Sequence, residues 1–221
     1  MTLLEVKNLY KSFSYPEMVH LFRGLSFSIQ KKQTIAIMGS SGEGKTTLLH
    51  ILGSLEKKDS GDILFNGSSL DSFPPHIIRR KYVGYIFQSY NLIEDISVLD
   101  NILLPKKILK EKTDENIEKA LFLLDQVGLS KRAKFPARLL SGGEKQRVAI
   151  ARSFINDPEI ILADEPSGNL DHKTSELIHN LLISFTKKLG KSLIVATHDK
   201  TLASLCDKIF LLNDGKISKF H

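Results

Sequence analysis

Gly39-Ser40-Ser41-Gly42-Glu43-Gly44-Lys45-Thr46 is the stretch whose reading decides the fold. It fits G-x-x-x-x-G-K-[ST], a loop that cradles phosphate. Upstream, Thr34-Ile35-Ala36-Ile37-Met38 reads as a short buried strand; downstream, Thr47-Leu48-Leu49-His50-Ile51-Leu52 reads as a helix ending near Gly53. Strand, glycine loop and helix is the context the motif requires. The glycines let the backbone bend tightly and bring its N–H groups against phosphate oxygens. The helix N-terminus adds the positive end of its dipole. Lys45 is placed to reach the β- and γ-phosphates, and the Thr46 hydroxyl to ligate Mg²⁺. Without such flanks the stretch would be a glycine-rich turn with an incidental lysine.

Outward from this loop the chain alternates strands and helices. On the N-terminal side, Leu3 to Lys7 reads as an edge strand, Tyr15-Pro16-Glu17 as a turn, and Val19 to Ile29 as one or two strands. On the C-terminal side, Ser60 to Gly67 is a strand bracketed by glycine turns, Pro74-Pro75 opens a short helix through Arg80, and Tyr82 to Phe87 is a strand with Gln88 at its end. From about Ser89 to Ile155 the character turns helical. Asp100 to Lys110 is a helix with Pro105 as a kink or break. Thr113 caps a second helix, whose Ile117, Ala120, Leu121 and Leu124 share a face, and Gly143 to Asn156 is a third. Strand–helix alternation then resumes: Glu159 to Ala163 and Ser192 to Ala196 are buried strands around an amphipathic helix from Thr174 to Lys188, and a hairpin turns at Asn213-Asp214-Gly215. The pattern predicts an α/β core with a mostly parallel sheet, interrupted by a helical segment.

The chain of 221 residues suffices for one large domain, and 42% hydrophobic with 25% charged residues is ordinary for a globular protein. No apolar run has the length of a membrane span, and charge arrives at Glu5 and Lys7, too early for a secretory leader. The single Cys206 cannot form an internal disulfide, which suits a reducing compartment. A net charge of +6 raises nucleic acid or an anionic membrane as partners. The lysines are scattered, however, and pairs such as Lys57-Lys58 read as solvated surface, so no nucleic-acid partner is expected.

Two further stretches carry chemistry. Ile160-Ile161-Leu162-Ala163-Asp164-Glu165 is a buried strand delivering an aspartate to its C-terminal end. A phosphate-loop fold holds Mg²⁺ in this way, and the adjacent Glu165 can polarise a water for in-line attack. An Asp-Glu pair at a strand end can also be only a cap. Leu140-Ser141-Gly142-Gly143-Glu144-Lys145-Gln146-Arg147 opens a helix. Its hydroxyl and bare N–H groups make a second anion site, a capping box with Glu144 at its third position, or both.

These stretches together resemble the ATP-binding-cassette (ABC) ATPases, and the resemblance covers essentially the whole chain. It rests on the phosphate loop, LSGGE at Leu140 to Glu144, LADEPSGNLD at Leu162 to Asp171, Gln88 after its strand, and His198 in Ala196-Thr197-His198-Asp199. It implies a phosphate-loop core with a mostly parallel sheet, an N-terminal antiparallel β-subdomain and an inserted α-helical subdomain. The implied division is one domain over residues 1–221, with catalytic core and β-subdomain at 1–88 and 156–221 and the helical subdomain at 89–155. ATP and Mg²⁺ are the implied cofactors. Gly39 through Thr47, including Ser40, Ser41, Gly42, Glu43, Gly44, Lys45 and Thr46, are then expected at the nucleotide. Thr46, Gln88 and Asp164 are expected at the metal. Lys45, Glu165, His198 and Gln88 are the expected catalytic set: Gln88 as metal sensor, His198 as a contact of the γ-phosphate. An otherwise isolated histidine after a strand would more often be structural. Ser167 to Asp171 are expected at a dimer interface. Phe13 stands where the family stacks an aromatic ring on adenine, with Tyr10 as the alternative. Glu43 departs from the small residue common in the family, and its side chain is expected to point outward.

The resemblance further implies a head-to-tail homodimer, in which Ser141, Gly142 and Gly143 of one copy complete the site of the other. Among the cassettes, the resemblance is to the small bacterial ATPases of the lipoprotein-releasing, macrolide-export and cell-division group. Leu49 to Leu55, Ser60 to Gly67 and Ser167 to Asp171 favour the lipoprotein-releasing branch. Its partners are separate integral membrane subunits (LolC/LolE-like), and the cytoplasmic face of the bacterial inner membrane is the expected location, reached through those partners alone. The chain is expected to carry neither a fused membrane domain nor a C-terminal regulatory domain. A cell-division (FtsE-like) or macrolide/peptide-export ATPase is the alternative. A DNA-repair cassette fits badly, because the insert is short and one cysteine builds no zinc site, and a translation-factor cassette would fuse two copies.

Overall fold

The computed structural model describes residues 1–14, 17–111 and 113–220; Tyr15 and Pro16 of the expected turn lie outside them. Two long strands, β1 (Thr2–Phe13) and β2 (Val19–Gln30), precede β3 (Thr34–Met38), the phosphate loop and helix α1 (Lys45–Leu52). Then come β4 (Ser60–Phe65), the two-residue β5 (Ser68–Ser69), α2 (Pro75–Lys81) and β6 (Val83–Ile86). Helices α3 (Val98–Ile108), α4 (Asp114–Gln126) and α5 (Gly142–Phe154) follow before the chain returns to the sheet as β7 (Ile160–Asp164). The chain closes with α6 (His172–Lys188), β8 (Ser192–Ala196), α7 (Lys200–Ser204), β9 (Lys208–Asn213) and β10 (Lys216–Lys219).

The strands form two sheets. An antiparallel sheet runs β2-β1-β4-β5, and a six-stranded sheet runs β10-β9-β3-β8-β7-β6. In the second sheet every pairing is parallel except that of the final hairpin, β9 with β10. Side chains of β3, β7 and β8 alternate between two apolar layers, as period-two strand geometry dictates. Ile35, Ile37, Ile160, Leu162, Ile194 and Ala196 face the antiparallel sheet and α1. Ala36, Ile161, Ala163, Leu193 and Val195 face the helices α3 to α7. All are fully buried, so truncating one of these isoleucines to alanine would cost ~2–5 kcal/mol.

This layering places the site. The ordered neighbours β3, β8, β7 and β6 end respectively at the phosphate loop, at Thr197-His198, at Asp164-Glu165 and shortly before Gln88. Parallel strands point their carboxyl ends the same way, so four segments far apart in sequence arrive side by side, at the edge where open α/β sheets take ligands.

Two expectations are corrected, and one helix is added. The segment Leu3–Lys7 is no edge strand: β1 lies between β2 and β4 and pairs with both. Alternation shows that one face is buried but does not show how many partners the backbone has. Helix α3 begins at Val98, capped by Ser97, and is not broken at Pro105. The proline removes one intrahelical bond, and Lys110 N–H still closes the last turn on Lys107 O at 2.9 Å. The short α7 went unread in the sequence, although Asp199 caps it with hydrogen bonds from the N–H groups of Thr201 and Leu202.

Candidate active site

A cleft of about 760 Å³ opens at the carboxyl ends of these strands. It is lined by Phe13, Leu21, Ser40, Ser41, Gly42, Gly44, Lys45, Thr46, Thr47, Gln88, Glu165 and His198. The loop wraps the start of α1 through two left-handed residues, Gly42 (φ +90°) and Gly44 (φ +96°). Any side chain at Gly44 would strike Leu21 at 2.8 Å. Gly39 lies behind the lining, where a Cβ would meet Leu212 O at 2.5 Å. Both contacts explain why the loop is glycine at those points.

The Lys45 ammonium donates to the carbonyls of Gly39 at 2.7 Å and Ser40 at 3.1 Å, and lies 4.0 Å from Glu165 Oε1. A cation so folded over its own loop faces whatever anion the loop holds. The side chain of Glu43 takes no part: its Oε2 accepts a 3.0 Å hydrogen bond from Asp214 N–H in the β9–β10 turn. The carboxylate is thereby turned from the cleft, and residue 43 has only backbone to offer a phosphate.

Behind the loop, the Thr46 hydroxyl donates to Asp164 Oδ1 at 3.1 Å. Burial raises the pKa of Asp164 above the usual carboxylate range, and the Thr46 bond opposes the shift. Thr46, Asp164 and the amide of Gln88 supply oxygen donors only. Among the described residues no cluster of three or more His, Cys, Asp or Glu side chains could hold a metal by itself. That suits Mg²⁺, which takes one or two protein oxygens and completes its octahedron with water and phosphate.

Glu165 adopts φ +41°, disfavoured for a side-chain-bearing residue. Its carboxylate is held from two sides. Thr197 Oγ1 donates to Oε2 at 3.2 Å, while Oε1 accepts from His198 N–H at 3.1 Å and lies 3.0 Å from His198 Nδ1. Sequence reasoning missed Thr197 and Leu21. Thr197 stood between two residues already singled out, whereas nothing marked Leu21. Phe13 reaches the cleft at the end of β1, half-exposed and with Lys11 Nζ 4.7 Å from its ring centroid. Tyr10 is not among the lining residues; its hydroxyl instead lies against Gly24.

Ser141, Gly142 and Gly143 are not part of this lining. Ser141 caps α5 in a complete capping box: its hydroxyl accepts from Glu144 N–H at 3.3 Å, and Glu144 Oε2 accepts from Ser141 N–H at 2.9 Å. That backbone bond is the main cause holding the Glu144 carboxyl below its usual range. The Ser141 side chain remains exposed. The structure thus brings Phe13, Ser40 to Gly42, Gly44 to Thr47, Gln88, Glu165 and His198 to one cleft, sets Gly39 and Asp164 behind it and turns Glu43 away, and leaves the serine-glycine stretch elsewhere on the same chain.

Comparison with known proteins decides the family. The profile of the ABC transporter family matches residues 22–168, a span from β2 through the loop, the LSGGE stretch and Glu165. The chain is an ABC-type ATPase. The lipoprotein-releasing system ATP-binding protein LolD of Protochlamydia amoebophila is 43% identical over 96% of the chain and 95% of that protein. LolD of Rickettsia felis is 41% identical over 98% of each. The cassette MJ0796, solved as a dimer in a post-hydrolysis state with ADP and Pi, superposes with a TM-score of 0.87 at 34% identity, covering 99% of both chains. The two sheets and the three-helix insertion are therefore the architecture of an ABC ATPase, and ATP is its nucleotide.

Proposed function

We propose that this ABC ATPase is the nucleotide-binding subunit of a membrane complex that releases lipoproteins from the bacterial inner membrane. It works as a homodimer against LolC/LolE-like integral subunits on the cytoplasmic face. The observation that supports the ATPase mechanism best is the separation just described: one cleft gathers Lys45, Thr46, Gln88, Glu165 and His198, while Ser141 to Gly143 lie outside it. The lipoprotein assignment is supported by the near full-length identity to proteins named for that system. None of the described helices is long and apolar enough to cross a membrane; in this reading attachment runs through the partner subunits.

The geometry supports a set of proposed roles. The N–H groups of residues 39–46 and the Lys45 ammonium bind the β- and γ-phosphates, and Phe13 stacks on adenine. Thr46 and Asp164, with Gln88, hold Mg²⁺, which supplies charge neutralisation on the phosphate oxygens when bound. Thr197 and His198 orient the Glu165 carboxylate, which polarises the attacking water. Lys45 and His198 stabilise charge on the transferring phosphoryl group. The exposed Ser141 hydroxyl and the start of α5 of a second copy close over the γ-phosphate as an anion site. Residues 89–155 act as the subdomain that carries that lid, and ATP, contacted fully only in the closed dimer, biases opening against closure.

Reconstitution tests the assignment. The chain is reconstituted with LolC/LolE-like membrane subunits in proteoliposomes holding a radiolabelled lipoprotein. ATP-dependent release into a soluble acceptor is expected. Failure to co-purify with lipoprotein-release subunits, together with stable capture by a cell-division or macrolide-export membrane protein, would overturn it.

A further inference from the structure

His179, on α6, is only 1% exposed and is absent from the cleft. Its Nε2 lies 2.7 Å from Ser167 Oγ and 3.9 Å from Asp199 Oδ2, while its Nδ1 is buried with no hydrogen-bond partner among the described residues. The one nitrogen with partners thus faces two segments that flank Glu165 and His198. Ser167 is the second residue after Glu165, and Asp199 is the residue after His198.

The proton can be placed. Burial lowers the pKa of His179 and His172 adds to this, against opposition from Asp199 and Glu176, which favours the neutral ring. A buried unpaired N–H is costlier than an unpaired lone pair, which puts the hydrogen on Nε2. The nearby Asp199 carboxylate favours the same tautomer. In that tautomer Nε2–H donates to Ser167 Oγ.

The connections from there reach the Glu165 carboxylate and backbone. Asp199 N–H donates to Thr197 Oγ1 at 3.0 Å, and that hydroxyl donates to Glu165 Oε2 at 3.2 Å. On the other arm, Gly168 N–H donates to Glu165 O at 3.0 Å, directly after Ser167. Glu165, in its disfavoured backbone conformation, is thus approached from both sides by segments that meet at one imidazole.

We propose that His179 is a positioning residue of the hydrolysis site: by holding Ser167 beside Asp199 it fixes the turn after Glu165 against the segment carrying Thr197 and His198. This rests on the reading of Glu165 as the water-polarising group.

The test is steady-state ATP turnover of the full-length chain with His179→Leu, His179→Gln, Ser167→Ala and Ser167→Ala/His179→Leu. Leucine fills space without a donor; glutamine returns an N–H near the Nε2 position. Expected are a fall in kcat of about tenfold for His179→Leu with KM for ATP within about twofold, and recovery in His179→Gln. Ser167→Ala should match His179→Leu, and the double variant should be no worse than either single one. Wild-type kcat in His179→Leu, equal impairment of leucine and glutamine, or losses that multiply in the double variant would overturn the inference. If His179→Leu does not fold, Ser167→Ala decides alone by its kcat. Glu165→Gln is assayed alongside: wild-type turnover there sinks the site reading itself, whereas an inactive Glu165→Gln beside a fully active His179→Leu sinks only the role of His179.

Discussion

The Thr46 hydroxyl donates a 3.1 Å hydrogen bond to Asp164 Oδ1 across 118 positions of sequence. The contact joins the phosphate loop to the strand-end aspartate. In the proposed mechanism its two oxygens, with the Gln88 amide, hold Mg²⁺. Thr46→Ala should raise the Mg²⁺ concentration for half-maximal turnover about tenfold, the equivalent of a lost ligand contact of ~1.4 kcal/mol. Thr46→Ser should behave as wild type. A Mg²⁺ titration of phosphate release checks both.

The aromatic platform is the second expectation. Phe13 lines the cleft and Tyr10 does not. Stacking of a base on an aromatic ring is worth ~1–3 kcal/mol, so Phe13→Ala should weaken binding of a fluorescent ATP analogue at least about fivefold. Phe13→Tyr should preserve binding, and Tyr10→Ala should leave affinity unchanged. Loss of affinity in Tyr10→Ala alone would move the platform to that residue.

The capping box at the start of α5 makes a pH-dependent contribution to stability. Glu144 accepts the Ser141 N–H, and that bond chiefly lowers its pKa from the ordinary 4.5. A carboxyl with a lowered folded pKa contributes stability above its unfolded value, and that contribution disappears as the pH falls through the folded value. Glu144→Gln should therefore melt about 3 °C below wild type at neutral pH, for a loss of ~1 kcal/mol in a chain of this size. The gap should close as the pH drops below 4.5. A gap independent of pH would show that the charge at Glu144 is not what caps the helix.

Much of this was legible in the sequence for identifiable reasons. The phosphate loop, Asp164-Glu165 and His198 all sit at ends of continuous apolar strands, and a buried parallel strand both reads clearly and fixes where its next residue emerges. The capping residues Thr113 and Ser141 were visible because their chemistry is local. What could not be read depends on tertiary partners. Whether β1 had one neighbour or two was hidden, since backbone pairing leaves no trace in side-chain alternation. Pro105 was expected to disturb α3, yet the last turn still closes around it. Leu21 lines the cleft only because β2 packs beside the phosphate loop, and His179 meets Ser167 only because the turn after Glu165 folds back on α6; side-chain periodicity reveals neither contact. Glu43, inside the motif, was predicted to turn away from phosphate, and the β9–β10 turn accepts that duty through Asp214 N–H.

Glu165→Gln preserves the shape of a side chain held by Thr197 and His198 while removing its capacity to take a proton. ATP binding should survive, hydrolysis should fall by at least about 10²-fold, and the variant should accumulate as a dimer in ATP but not in ADP. Light scattering coupled to size exclusion reads this directly. A variant that stays monomeric at saturating ATP would count against closure by nucleotide.

In the proposed mechanism one chain holds half a site, completed by Ser141 to Gly143 of another copy. The most direct measurement of this sharing is turnover of a mixture of two inactive variants. Lys45→Ala disables the phosphate loop. Ser141→Asp keeps a competent helix cap but sets a carboxylate against the γ-phosphate. In a head-to-tail dimer of the two, one composite site carries both defects and the other carries neither. An equimolar mixture should then recover roughly a quarter of wild-type phosphate release, given random pairing and independent sites. A mixture as inactive as its separate components would mean that each chain builds its site alone, and would contradict the account.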